Sequence, residues 1–151
     1  MRAFGPHLFL SPEQVVQRAL ALAHVGAGEL VTVAGPDGLA AMVSLCRAGF
    51  ERVECARRAT CGGADEDCAL LLIAGQMTPD ALAETVRATA RLLHDDGLLV
   101  VQLSADGDDA VVRSALASRG LKTTFTLFDR SAGRLVLHRV RRTIAELRHS
   151  A

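Results

Sequence analysis

The sequence contains no Trp and no Tyr, and only five Phe among its 151 residues. We therefore expect a core of Leu, Val and Ala, and the aromatic platforms on which single-stranded nucleic acid bases stack are disfavoured. Lysine occurs once, at Lys122, and basic and acidic residues balance at 17 each. Because the formal net charge is zero, no global field steers the chain toward nucleic acid or an anionic membrane, and electrostatic recognition must be local.

Long apolar runs are absent as well. No run reaches the roughly 20 residues that span a bilayer, and the N-terminus has no basic segment followed by a signal-like apolar stretch. The sequence therefore predicts a cytoplasmic protein that does not enter a membrane.

Paired cysteine spacing is also missing. The four cysteines lack the C-x-x-C pattern of zinc sites, and a chain of this size does not need disulfides to fold. We expect mostly reduced thiols and no metal, with Cys46 and Cys68 in apolar surroundings. A metal site built from Cys55, Cys61 and Cys68 with a distant His is the alternative.

What is present is the composition of one globular domain. Half of the residues are apolar and 23% are charged, which is the balance of an ordinary soluble fold. The length suits a single domain over residues 1–151. We divide it into an N-terminal segment and helix (1–28), a sheet core (29–141) and a tail (142–151).

Hydrophobic periodicity predicts alternating helices and strands. Ser11-Pro12-Glu13 is typical of a helix start with Ser11 as N-cap, and the uninterrupted apolar run at 68–74 predicts a central strand covered on both faces. The last two strands are joined by only five residues, which predicts an antiparallel hairpin. Helices are predicted from 11 to about 26, at 37–49, from 78 to about 93 and at 108–118. Strands are predicted at 30–34, 51–55, 68–74, 98–103, 121–128 and 134–140, with a turn at 95–97.

Three strand-and-helix units followed by a terminal hairpin resemble the class I S-adenosylmethionine-dependent methyltransferases. VVQRALALAHVGAGELVTVAGPDGLAAM is similar to their N-terminal helix, first strand and donor-binding loop, and ALAETVRATARLLHDDGLLVVQL to their late helix and following strand. The resemblance implies an α/β fold: a three-layer Rossmann-like sandwich whose mostly parallel sheet ends in an antiparallel hairpin. Only a loop at 59–67 replaces a further helix and strand, so the resemblance implies a trimmed fold that lacks one sheet edge. It places Asp67 away from the ligand, in a structural role.

The donor-binding loop departs from the family pattern. Family members carry an acidic residue and three glycines there (DxGxGxG), which let the donor's methionine part approach the backbone at a helix N-terminus. Aligned on residues 32–38, Thr32 replaces the acid, Ala34 and Pro36 replace two glycines, and Gly38 is retained. Pro36 removes a backbone donor and fixes φ. The resemblance thus implies weakened donor binding, and a plain strand-to-helix turn is the alternative.

Other family positions are partly retained. Glu54, at the end of the second strand, corresponds to the acid that contacts the ribose hydroxyls, and pairing with Arg57 or Arg58 is the alternative. Gln76 could bond a substrate amide, but no general base is visible near it and we predict no catalytic residue. The candidate donor-binding residues are Gly35, Asp37, Gly38, Glu54, Gly75 and Gln76, for S-adenosylmethionine or S-adenosylhomocysteine.

Two further groups carry charge or titrate. An acidic rim is expected at the ligand edge, and it disfavours phosphates; its later members could equally be helix N-caps. Among five histidines none has a nucleophile beside it, and we interpret His138 as an ordinary sheet residue with no chemically poised neighbour. The rim consists of Asp37, Glu54, Asp106, Asp108 and Asp109.

The C-terminal part is the one basic region. Arg139 and Arg141 share a strand face, and the pattern is that of an edge strand in which charge prevents aggregation. Contact with nucleic acid or an acidic partner is the weaker interpretation. The arginines are Arg130, Arg134, Arg139, Arg141, Arg142 and Arg148.

Our leading hypothesis is a methyltransferase-like domain that has lost or weakened donor binding and acts as a binding, regulatory or assembly module for an unknown protein partner or small molecule. The alternatives are an active S-adenosylmethionine-dependent methyltransferase with a divergent loop and, more weakly, nucleic-acid contact through the arginine-rich end. The sheet edge left by the missing strand could support a homodimer, or residues 1–10 could cover it.

Overall fold

The computed structural model describes residues 10–56, 67–105, 107–129 and 134–143. These residues form four α-helices, one 3-10 turn and six strands. The helices are α1 (Pro12–Ala23), α2 (Gly38–Arg47), α3 (Pro79–Thr89) and α4 (Asp108–Ala117), and the turn is Ala90–Leu92. The strands are β1 (Val31–Ala34), β2 (Val53–Cys55), β3 (Cys68–Ile73), β4 (Leu93–Gln102), β5 (Leu121–Asp129) and β6 (Leu135–Arg142).

The six strands form one sheet in the order β2-β1-β3-β4-β6-β5. Strands β2, β1, β3 and β4 pair in parallel, whereas β6 runs antiparallel to both β4 and β5. The central position of β3 and the C-terminal antiparallel hairpin are confirmed. Within the described part of the chain, β2 is the last strand on its side of the sheet, and residues 57–66, which include most of the predicted loop at 59–67, lie outside that part.

Two apolar clusters lie on the two faces of the sheet. Helices α1 and α2 pack on one face, where Leu70 and Leu72 of β3 point, and α3 and α4 pack on the other, where Leu71 and Ile73 point. Successive side chains of a strand face opposite sides, so a strand covered on both faces has no polar position. The three-layer α/β sandwich is confirmed.

The helix starts follow from side-chain caps. Ser11 Oγ accepts from the N–H of Gln14 at 3.2 Å, and Gln14 Oε1 accepts from the N–H of Ser11 at 2.9 Å, a reciprocal capping box. Thr78 likewise accepts from the N–H of Ala81 before α3. The predicted start of α1 is therefore confirmed, and the helix ends at Ala23.

The turn predicted at 95–97 is wrong. Strand β4 begins at Leu93 and continues through residues 95–97. Leu93 pairs with Cys68, and the register is irregular between Cys68 and Leu70. Strand β6 holds this segment from the other side. Asp95 accepts from the N–H of Arg142 at 3.0 Å, and the guanidinium of Arg141 donates twice to Asp96, at 2.7 and 3.1 Å. That guanidinium lowers the pKa of Asp96.

The hairpin also differs from the prediction in one respect. The final strand, β6, is not an edge but lies between β4 and β5. The sequence suggested an edge because Arg139 and Arg141 place charge on one face of the strand. Both arginines are exposed, yet Leu137 and Val140 of the same strand are buried. The edge is β5.

A candidate ligand site at the carboxyl edge of the sheet

The loops that follow β1 and β3 are bound to each other at the carboxyl ends of the strands. The N–H of Ala74 donates to the carbonyl of Ala34 at 3.0 Å, and the N–H of Asp37 donates to the carbonyl of Ala74 at 3.1 Å. From β4, the buried side chain of Gln102 accepts from the N–H of Gly75 at 2.8 Å. Backbone contacts thus fix the position of the loop before α2.

Two glycines allow these loops to approach. Gly35 has φ +93°, and a Cβ there would overlap the carbonyl oxygen of Ala74. Gly75 has φ +104°, and a Cβ there would lie 2.9 Å from the Asp37 nitrogen and 3.1 Å from the Pro36 ring. Both positions therefore require glycine, for conformation and for space. This packing accounts for Gly35 and Gly75 without any bound molecule.

The same packing occupies the N–H groups of the loop. Pro36 has none, the N–H of Asp37 is bonded to Ala74, and the N–H of Gly38 donates to the carbonyl of Gly35 at 3.0 Å. Asp37 is the N-cap residue of α2, but its side chain makes no capping hydrogen bond. Residues 36–38 therefore offer a bound anion no free N–H donor, and any donors at the start of α2 are the N–H groups that the Asp37 side chain does not cap.

An open cavity of about 920 Å³ lies beside this loop, between the strand ends and α3. Its lining is mainly apolar, and Glu84 is the one ionisable carboxylate or base among the described lining residues. Thr85, on the same helix, donates from its hydroxyl to the carbonyl of Ala81. The lining consists of Ala34, Gly35, Pro36, Leu39, Cys55, Ala56, Met77, Ala81, Glu84, Thr85, Ala88 and Thr89.

Of the six candidate donor-binding residues, only Gly35 lines this cavity. Asp37, Gly38 and Gly75 lie in the adjoining loops, and the side chain of Gln76 is exposed. A role for these residues in donor binding stays a prediction.

Glu54 is exposed and pairs with Thr32. It precedes Cys55, the residue of β2 that lines the cavity, and therefore lies one residue further from the strand end. Parallel bonding continues to Ala56, whose N–H donates to Val33 at 2.8 Å, and Cys55 and Ala56 both line the cavity. The ribose contact predicted for Glu54 is untested.

Two residues of the predicted acidic rim, Asp108 and Asp109, are bound to other groups of the protein. Asp108 is buried and accepts from the N–H of Ala105 at 3.2 Å, which makes it part of the turn before α4. Asp109 turns toward β6 and accepts from Arg113 and His138. Asp106 lies outside the described residues.

His138 is not the plain sheet residue that its sequence context predicted. Its side chain is fully buried, with the Asp109 carboxylate at 2.7 Å and the Thr126 hydroxyl at 3.2 Å from its two ring nitrogens. Burial lowers the pKa of His138, and the neighbouring carboxylate opposes that shift. The pattern missed this network because Asp109 and Thr126 are distant in sequence.

The cysteines differ from one another. Cys46 is exposed, so the apolar surroundings predicted for it were wrong. Cys68 is buried, and burial raises the pKa of its thiol to about 11 despite a hydrogen bond with Thr32. Cys61 lies outside the described residues, and in the described part no three His, Cys, Asp or Glu side chains are grouped to hold a metal ion.

The basic region is divided among separate contacts. Arg141 is bound to Asp96, and Arg134 donates to the carbonyl of Ser104 at 2.6 Å. Arg130 and Arg148 lie outside the described residues. No helix within the described ranges is both long and apolar enough to cross a membrane.

Sequence reasoning did not find the part of the cavity that α3 supplies. Ala81, Thr85 and Ala88 recur at helical spacing and line one wall. Small residues at this spacing are also typical of a helix packed on a core, so the pattern alone does not distinguish a wall from a contact.

Comparison with known proteins gives a match at the level of structure. No protein-family model and no curated protein matches the sequence. The ribosomal protein L11 methylase of Lactobacillus delbrueckii subsp. bulgaricus is 14% identical with a TM-score of 0.54, over 93% of this chain and 81% of that one. A precorrin-6y C5,15-methyltransferase of Geobacter metallireducens is 14% identical with a TM-score of 0.53, over 91% and 94%.

A third similar structure was solved with its donor in place. The magnesium protoporphyrin IX methyltransferase of Synechocystis, with bound S-adenosylmethionine, is 13% identical with a TM-score of 0.55, over 85% of this chain and 79% of that one. The chain therefore has the Rossmann-like fold of the class I S-adenosylmethionine-dependent methyltransferases.

Proposed function

We propose that this chain is a methyltransferase-like domain that binds S-adenosylmethionine weakly or not at all and acts as a binding or regulatory module. The observation that carries the proposal is the closed loop after β1. The N–H of Asp37 is bonded to Ala74, and the Pro36 ring lies against Gly75.

The closed loop bears on the donor's methionine part in two ways. A carboxylate needs free N–H donors at a helix N-terminus, and here Pro36 has none while those of Asp37 and Gly38 are bonded within the protein. A ligand pressed against the backbone also needs glycine, and Ala34 and Pro36 stand at two of the three family glycines. Weak donor binding follows from both.

Calorimetric titration with S-adenosylhomocysteine tests the proposal. We expect no heat of binding at millimolar ligand. The magnesium protoporphyrin IX methyltransferase of Synechocystis, which has been solved with S-adenosylmethionine, serves as the positive control under the same conditions. Micromolar binding by the wild-type chain would contradict the proposal.

A variant tests the physical cause. If Pro36 and Ala34 close the loop, the double variant Ala34→Gly, Pro36→Gly should gain measurable affinity for S-adenosylhomocysteine. The variant's helical content and melting temperature identify any loss of fold. A folded variant that still gives no heat would assign the weak binding to another part of the site.

An active methyltransferase with a divergent loop is the second candidate. The position of the cavity supports it, because the loops after β1, β2 and β3 all contribute to the lining. This candidate predicts S-adenosylhomocysteine binding that is lost in Glu54→Ala and retained in Glu51→Ala, a matched exposed acid three residues earlier in the chain. Equal binding by both variants would remove Glu54 from the site.

We propose the cytoplasm as the compartment, in which the cysteines would be mostly reduced. The ligand or partner of the module would bind either in the mainly apolar, weakly acidic cavity or on another part of the surface. Glu84 and the exposed Leu39 lie at that cavity, which disfavours phosphates and favours apolar or cationic groups.

A further inference from the structure

A second cavity, of about 540 Å³, lies between α4 and the ends of the two hairpin strands, β5 and β6. It shares no described lining residue with the cavity beside α3. Its apolar wall consists of Leu103, Ala110, Phe128 and Leu135, and its described charged side chains are two acids and two arginines. A cavity of this volume, with an apolar wall and a few polar groups, is typical of a small-molecule site.

The two acids of the lining are bound within the chain. Oδ1 of Asp109 accepts from His138 at 2.7 Å, and Oδ2 accepts from Arg113 at 3.0 Å. Oδ2 of Asp129 accepts from Arg18 at 3.0 Å, and Arg18 belongs to α1, which packs on the face of the sheet opposite α4. Neither carboxylate in the described lining is therefore without a protein partner.

The donors of the lining are only partly engaged. Nε of Arg113 donates to Asp109, and one N–H of its Nη2 donates to Thr126 at 2.8 Å. The other N–H groups of this guanidinium make no hydrogen bond within the described residues, and the side chain is 48% exposed. Two hydrogen bonds thus hold in place a donor group that lines the cavity, and such pre-organisation lowers the entropic cost of binding.

The second arginine of the lining adds to the supply of donors. Arg134, the residue before β6, donates to the carbonyl of Ser104 at 2.6 Å, and a guanidinium has no acceptor. The described lining therefore combines donors with carboxylates that are already bound. A complementary ligand must supply acceptor oxygens, because a polar group that is enclosed without a partner costs binding free energy.

We propose that this cavity binds a small monocarboxylate that carries an apolar ring or chain. The carboxylate contacts Arg113, and the apolar part lies on the wall that Leu103, Ala110 and Leu135 form. Hydrogen bonds from a guanidinium to a carboxylate are charge-assisted and stronger than neutral ones. A single negative charge is favoured over a phosphate dianion, because Asp109 is bonded to the same guanidinium and repels the ligand's charge.

An NMR titration of the isotope-labelled chain with phenylpropionate tests the proposal. We expect saturable amide shifts at Ala110, Arg113 and Leu135, and none at Gly35 or Ala56 of the other cavity. Two probes with the same ring separate the charge from the apolar part. The neutral amide of phenylpropionate still supplies an acceptor and should bind more weakly, and cationic phenylpropylammonium should bind least.

Removal of the guanidinium tests the polar contact. Arg113→Gln should weaken phenylpropionate binding by at least about ten-fold, the loss expected when a charge-assisted hydrogen bond is removed. The matched control is Arg87→Gln on α3, since Arg87 is also an exposed helical arginine but lines neither cavity. This control should bind phenylpropionate as wild type does.

A second variant leaves the hydrogen bonds of Arg113 in place. Ala110→Leu adds apolar volume at an exposed position of α4 that lines the cavity, and it should block the probe while circular dichroism shows an unchanged fold. Ala117→Leu makes the same change at an exposed position of the same helix that does not line the cavity. It should leave binding unchanged.

Several results would overturn the proposal. One is the absence of shifts at Ala110, Arg113 and Leu135 with millimolar phenylpropionate, or shifts confined to Gly35 and Ala56. Another is binding of phenylpropylammonium that equals or exceeds that of phenylpropionate. The last is a folded Arg113→Gln or Ala110→Leu variant that binds phenylpropionate as tightly as wild type.

The two proposals can fail separately. Arg113→Gln and Ala110→Leu change no residue of the loop after β1 or of the cavity beside α3. Titration of both variants with S-adenosylhomocysteine should therefore give the wild-type result, whatever that result is. Donor binding by the wild-type chain would contradict the proposed function and leave the carboxylate site intact.

Discussion

His138 donates a hydrogen bond from Nε2 to Oδ1 of Asp109 across 2.7 Å, and the imidazole has no exposed surface. Because an ionised carboxylate only accepts, the neutral ring carries its proton on Nε2 and accepts from Thr126 at Nδ1. Arg113 closes a ring of contacts, donating to Thr126 at 2.8 Å and to Asp109 at 3.0 Å. Together these hydrogen bonds join α4 to β5 and β6.

The burial of His138 predicts a pH dependence of stability. Burial lowers its pKa in the folded state, below the value of about 6.5 that it has when unfolded. Its contribution is complete above that value and is lost as the pH falls toward the folded pKa, because the unfolded chain binds the proton first. The slope from one such group is at most about 1.4 kcal/mol per pH unit.

Urea unfolding between pH 8 and pH 5 measures this slope. His138→Gln retains polar groups that can face Asp109 and Thr126 but does not titrate, so its unfolding free energy should fall less steeply below about pH 6.5. Every other ionisable group is the same in the two proteins, which makes the difference between the two curves the informative quantity. Parallel curves would mean that His138 does not govern the effect.

Asp109 should matter as an acceptor more than as a charge. Asp109→Ala leaves the buried Nε2–H of His138 without its acceptor, and a cost of about 1–3 kcal/mol is expected. Asp109→Asn can still accept and should cost less. Unfolding at pH 8, where His138 is neutral, gives both values, with Glu84→Ala at an exposed position of α3 as a control expected to change stability by less than about 0.5 kcal/mol. Equal losses for the two Asp109 variants would contradict the argument.

Gly75 and Gly49 distinguish the cost of a positive φ for a residue with a Cβ from the cost of steric overlap of that Cβ. Both have positive φ, +104° and +100°, but a Cβ at Gly75 meets Asp37 and Pro36, whereas nothing lies within 4 Å of one at Gly49. Gly49→Ala should cost about 1 kcal/mol for conformation alone. Gly75→Ala should cost a further 1–3 kcal/mol or so for overpacking. Similar unfolding free energies would show that the two loops separate easily.

Thiol labelling checks the two cysteine environments. At pH 8 in the folded protein, Cys46 should react with iodoacetamide because it is exposed, and Cys68 should not, since its pKa is about 11 and it is buried. Only a thiolate attacks the reagent. Peptide mass mapping should show both labelled in urea. Labelling of folded Cys68 at the rate of Cys46 would indicate frequent opening near β3.

Much of the fold could be predicted because local signals agree with it. The caps at Ser11 and Thr78 and the apolar run of β3 each depend on nearby residues. Which strand of the hairpin lies inside depends on packing against β4, and alternating exposure in β6 did not reveal it. The continuation of β4 through Asp96 involves Arg141, which is 45 residues away and donates to the Asp96 carboxylate.

Less of the candidate site could be predicted. The family pattern led to the loop that does border the cavity, through Gly35, but the wall from α3 and the position of Ala56 depend on strand register and helix docking. Similarly, the partners of His138 come from two other elements. Contacts between distant residues leave no periodic signal in the sequence.

The strand order has a consequence for biosynthesis. In the chain β5 precedes β6, but in the sheet β6 lies between β5 and β4. During synthesis, the edge of β4 that pairs with β6 therefore stays unpaired by that strand until residues 135–142 have left the ribosome, even though β5 was made earlier. A chain halted between the two hairpin strands exposes a buried strand as its edge, and we expect such a product to be a substrate for chaperones and proteases.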